Sequence, residues 1–157
     1  MIEQIYTYFT IEIIFLWLNL GVLPFWLVLI IFPQSQLCRV FITSIFPVFV
    51  LSLAYGYLLY LFFNEGYNFI KNFELYLGLG AVSNLFTNKA FIILFWTHFL
   101  AINLFCGSWI VKDSQKFGIN KTLMSFPLLI TYFIGPIGLT IYWFIRIFYA
   151  KRINLYD

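Results

Sequence analysis

Charge is what this sequence has least of. Asp, Glu, Lys and Arg make up 10% of its 157 residues, against about a quarter in an ordinary soluble domain. Such a chain cannot cover its surface with polar groups, which excludes a water-soluble globule. The nine basic residues are scattered, and Lys151-Arg152 is their only adjacent pair. A nucleic-acid-binding face, which needs clustered Lys and Arg, is excluded with it. There is one histidine and there are two cysteines, Cys38 and Cys106. No His or Cys pair stands at ligand spacing, so nothing calls for zinc, haem or another cofactor. Two cysteines make no disulfide framework, and each reads as a small apolar residue. Glu3, Glu12, Glu65, Glu74, Asp113 and Asp157 fall at the ends of apolar stretches or between them, with no carboxylate pair placed for acid–base work in a membrane. A Gly-rich phosphate loop and a nucleophile elbow are both missing. Met1-Ile2-Glu3-Gln4 carries no basic cluster, so the first apolar stretch is expected to be retained rather than cleaved as a signal peptide.

What the chain has is apolar length: 63% of its residues are hydrophobic and 24% aromatic. Four stretches, at about 11–32, 41–63, 90–111 and 125–147, each meet the ~20-residue length of a membrane helix. Pro33-Gln34-Ser35-Gln36 joins the first two and Lys112 to Asn120 the last two. The expectation is an all-α, multi-pass integral membrane protein with a single domain, 1–157, a four-helix bundle of two helical hairpins. Its membrane would be the inner or plasma membrane of a bacterium, or a plastid membrane of a plant or alga. Between the hairpins, residues 68–88 place Ile70, Phe73, Leu77, Ala81 and Leu85 at steps of three and four. That predicts a short amphipathic helix in the interface, with Gly78-Leu79-Gly80 marking where a broken segment is the competing form. With four spans, the basic residues divide evenly between the two faces and leave the orientation open.

An ionisable side chain at membrane depth is costly and marks function by default. His98, in Trp96-Thr97-His98-Phe99, is the one such group in the third stretch. Counting helical rise puts Asn19, Tyr55 and Gly138 near its depth. Gly135-Pro136-Ile137-Gly138 breaks the fourth stretch, because proline removes one helical hydrogen bond and clashes with the preceding turn. The carbonyls so freed need a polar neighbour or a wet cavity. The same small and polar residues also suit plain helix packing. If there is catalysis, His98 is its acid–base group, with an amide, a hydroxyl or Asp113 beside it.

These residues resemble the abscisic-acid-deficient-four-like membrane proteins. The likeness rests on Trp96-Thr97-His98-Phe99-Leu100-Ala101, Asn103-Leu104-Phe105, Gly107, Trp109-Ile110 and Asp113, then Gly118-Ile119 and Phe133 to Leu139. Leu23-Pro24-Phe25-Trp26, Pro33, Ser44, Pro47 and Tyr55 extend it upstream. Plant members are required to make neoxanthin from violaxanthin, an isomerisation that opens a carotenoid epoxide to an allenic alcohol. The resemblance implies an isomerase site built from His98, Asn103 and Asp113. Asn19, Tyr55, Trp96, Gly135, Pro136 and Gly138 would lie around a carotenoid or other isoprenoid. Where the family carries Asp, this chain has Asn103, which cannot exchange a proton as a carboxyl does. A pigment- or lipid-holding assembly protein is therefore the alternative, and a small transporter the third. The bilayer is the expected partner, with a second copy of the chain as another.

Overall fold

Hydrocarbon offers the backbone no hydrogen bonds, so apolar stretches fold as helices that satisfy their own amides. The structure, a computed structural model, describes residues 10–154; Met1–Gln4, where retention of the first stretch was argued, lies outside them. Every regular element among the described residues is helical. They are α1 (Ile11–Ile31), α2 (Phe46–Asn64), α3 (Leu79–Leu85), α4 (Lys89–Lys116), α5 (Lys121–Phe133) and α6 (Gly135–Ala150). A π-helical turn, Cys38–Ile42, and a 3-10 helix, Phe69–Tyr76, lie in the connections.

Among the described residues three helices, not the expected four, are long and apolar enough to cross a membrane: α1, α2 and α4. Asn88 begins α4 by accepting from the amide of Ala90 at 2.8 Å. The interfacial segment takes its broken form. Gly78, with φ at 138°, separates the 3-10 helix from α3, and Ile70, Phe73, Tyr76, Leu77 and Leu79 all stand exposed.

The chain divides into two compact units. The first contains residues through Gly21 together with Val50–Leu100; the second contains Val22–Phe49 and the chain from Ala101 on. In the first unit Lys89 pairs with Glu12 at 2.8 Å, both largely exposed. Phe86, Phe91 and Phe95 pack ring to ring.

The second unit holds the main correction. Residues 125–147 are not one helix. Ile134, with φ at −139° and ψ at 78°, leaves the helical region and separates α5 from α6. At 1.5 Å per residue the two are about 20 and 24 Å long, each short of a ~30 Å hydrocarbon core. Ser114 Oγ, near the end of α4, bonds Met124 Sδ near the start of α5 at 2.7 Å. Its neighbour Asp113 bonds Tyr142 and Arg146, towards the end of α6. At the joint, Gly135 lies against Asn103 in the middle of α4. So α5 and α6 form a hairpin laid along the second half of α4, leaving from and returning to the same end.

Pro136 explains the turn. The sequence places it mid-helix, where it predicts a kink; the chain instead uses it in the first turn of a new helix, where a missing N–H costs nothing. Gly138 lets the two arms close, since a Cβ there would fall on the backbone nitrogen and Cα of Thr131.

Candidate functional site

His98 belongs to the outward face of α4. Thr97 beside it is 1% exposed and gives its hydroxyl proton to the Ile93 carbonyl at 2.8 Å. One residue on is a 100° rotation, which carries His98 to the exposed side. It falls into the stripe Phe95, His98, Ile102 and Phe105, spaced three, four and three, whose members are all exposed. The imidazole therefore faces away from the packed side of its helix, among aromatic and aliphatic side chains.

Asn103 points the other way, buried at 5% exposure. Its side-chain oxygen occupies the space a Cβ on Gly135 would need, and its Nδ2 has no hydrogen-bond partner. Asn103, Gly135 and Gly138 thus meet at the hairpin joint, with Pro136 exposed next to them. Five residues apart on α4, His98 and Asn103 stand on different sides of the helix, one exposed and the other buried.

Asp113 lies in the last turn of α4. It is 8% exposed, inside α4 rather than in the connection after it. Its Oδ2 accepts from Tyr142 Oη at 2.7 Å and from Arg146 Nε at 2.7 Å. Arg146 is 1% exposed. Its Nη1 donates to the Asn154 carbonyl at 2.8 Å, and its guanidinium lies 4.8 Å from the centre of the Phe117 ring. A carboxylate already bonded by a cation and a phenol is a structural acid. Tyr142 and Arg146, four apart on α6, are the side chains sequence reasoning missed. Their signal was an arginine within an apolar stretch, which needs an acid, and Asp113 is the one acid on the preceding long helix, α4.

In the first unit Trp96 Nε1 donates to Asn19 Oδ1 at 3.1 Å, and Asn19 Nδ2 donates to the Phe15 carbonyl at 2.7 Å. Trp96 also stacks on Phe99 and tilts against Phe15. Asn19 and Trp96 are thereby brought together, and each satisfies the other. Tyr55 is half-buried on α2. Gly138 shares no layer with the spans by counting, because the uninterrupted helix that count required turns back at Ile134.

Cys38 and Cys106 are both free thiols. Cys38 is buried in the turn between α1 and α2, and burial pushes its thiol up to about 11. Among the described residues no three or more His, Cys, Asp or Glu gather where they could hold a metal ion.

Residues 13–142 match the family model described as ABA DEFICIENT 4-like. Neither the proteins of curated function nor the solved structures include a match to this chain.

Proposed function

The chain belongs to the ABA DEFICIENT 4-like family, and from that premise we propose that it is a multi-pass membrane protein acting on a carotenoid or similar long isoprenoid at His98. The observation that carries this is the outward position of His98 on α4, a helix with the length and apolarity of a membrane span. A substrate dissolved in the bilayer arrives from the side, so a lipid-facing imidazole is one it can reach. Phe95, Ile102 and Phe105 would be the flat apolar surface along which a polyene lies.

The isomerisation known in the family suits a single proton carrier. Opening an epoxide to an allenic alcohol breaks one ring C–O bond and removes a proton from the carbon next to the ring. It forms one carbon–carbon π bond and delivers a proton to the oxygen. Nothing is oxidised, and the proton lost equals the proton gained. An imidazole within reach of both atoms can take it from carbon and return it to oxygen. That matters here because Asn103 carries no acid and Asp113 is held by Arg146 and Tyr142.

The test uses the full chain in membranes of a host that makes epoxycarotenoids, with pigments separated and weighed by mass. Wild type should convert an epoxide to a product of equal mass. His98→Ala should lower conversion at least a hundredfold, the low end of general acid–base effects, with unchanged protein level. Full conversion by His98→Ala sinks the catalytic reading. A pigment that co-purifies unchanged with both proteins selects the second reading, a non-catalytic holder, which the tied-up Asp113 favours.

The hairpin also supports an orientation. With α5 and α6 entering and leaving at one face, Arg39, Lys112, Lys116, Lys121, Lys151 and Arg152 belong to one side and Lys71 and Lys89 to the other. The positive-inside rule then puts the first set on the cytoplasmic side, or its plastid equivalent.

A further inference from the structure

We propose that the groove between α4 and the start of α2 binds one anionic lipid by its phosphate. This half-open groove of about 280 Å³ is walled on α4 by Phe105, Ser108, Trp109 and Lys112. These are spaced three, one and three, so a single helix face supplies them. Opposite stand Ser44, just before α2, and Val48 in its first turn. Lys112 lies about 10 Å further along the helix axis than Phe105, and the groove therefore runs from a charged end to an apolar end. That polarity is the polarity of an amphiphile standing at a membrane surface.

The hydroxyls sharpen the chemistry. Ser44 gives its proton to the Phe41 carbonyl at 2.6 Å, Ser108 to Ile42 at 3.1 Å, and the adjacent Thr43 to Arg39 at 3.2 Å. None has a proton to offer an anion. Lys112 is the one charged side chain in the wall and is exposed, so the charge complement of the site is a single anionic group held by an ammonium. A volume near the small end of ligand pockets suits a headgroup and the first stretch of one tail, not a whole pigment. The Trp109 indole, an amphipathic ring of the kind that settles at headgroup level, lines the same wall as Lys112.

Native mass spectrometry of the purified full chain tests this, with dioleoylphosphatidylglycerol, dioleoylphosphatidylcholine and inorganic phosphate as probes. One phosphatidylglycerol should remain bound per chain at activations that strip phosphatidylcholine. Lys112→Gln should weaken retention about tenfold and Lys112→Arg should restore it. Lys121→Gln, outside the groove wall, should change nothing. Val48→Trp, which fills the apolar end, should also displace the lipid although the charge remains. Unchanged retention in Lys112→Gln overturns the site, as does equal retention of the two lipids. Inorganic phosphate competing as well as the lipid would reassign the groove to a free anion and overturn the lipid.

Discussion

At the residue scale, the chain spends its few polar groups in two different ways. Asp113, Tyr142 and Arg146 satisfy one another within the protein, and their value is structural. Removing one member leaves the other charge buried, which costs about 3–5 kcal/mol. Arg146→Met or Asp113→Leu alone should lower the thermal midpoint of the detergent-solubilised protein sharply. The double variant Asp113→Leu/Arg146→Met should recover most of the loss, and a strictly additive double loss would refute the pairing as its cause. His98 was legible as the functional candidate, and its direction was legible too. The spacing Phe95, His98, Ile102, Phe105 is an outward stripe wherever Thr97 and Leu104 are inward. The role of Asp113 was hidden because the connection was drawn to begin at Lys112, five residues too early, whereas α4 runs on to Lys116. Cys38 gives a second residue-scale expectation. Its raised thiol pKa leaves little thiolate at neutral pH, so maleimide should label it slowly in the folded protein and fast after denaturation.

At the element scale, the first three apolar stretches coincide largely with helices of membrane-spanning length and apolarity, because length and hydropathy are legible in sequence. The expected 11–32 is Ile11–Ile31, 41–63 is Phe46–Asn64, and 90–111 lies within Lys89–Lys116. The fourth failed because those properties do not record direction. A proline flanked by glycines fits a kinked helix and a reversed one alike. Only the contacts of Met124 and Arg146 with adjoining residues of α4 decide between them. Gly138 is the position on which the reversal depends. Gly138→Ala presses a methyl on Thr131 backbone that cannot swing aside, and should cost about 3 kcal/mol, the upper end of the typical overpacking range. Gly135→Ala meets the Asn103 amide instead. Its penalty should shrink when combined with Asn103→Ala. Thermal unfolding of the four variants distinguishes these outcomes, and equal effects of Asn103→Ala in both glycine backgrounds would refute the contact.

At the scale of the whole molecule, the proposed topology has three spans, an odd number, which would put the two ends of the described chain on opposite sides of the membrane. Tags placed ahead of Ile11 and after Ala150 should be protected on opposite sides of the membrane, the latter on the cytoplasmic side. Protection on the same side would restore four spans and remove the hairpin. The even division of charge in the sequence was a product of the mistaken span. Once the last arm turns back, Lys151 and Arg152 change sides and the bias appears.

That reversal bears on how the protein is made. Arg146, Lys151 and Arg152 follow an apolar segment that a continuous helix would have carried to the far side, dragging three cations through the bilayer. A segment that dips in and returns leaves them where the ribosome released them. In the proposed topology, insertion of Lys121–Ala150 would need no translocation, only a finished α4 to receive them. Synthesis and folding would run in that order, with the Asp113–Arg146 bond among the last to close.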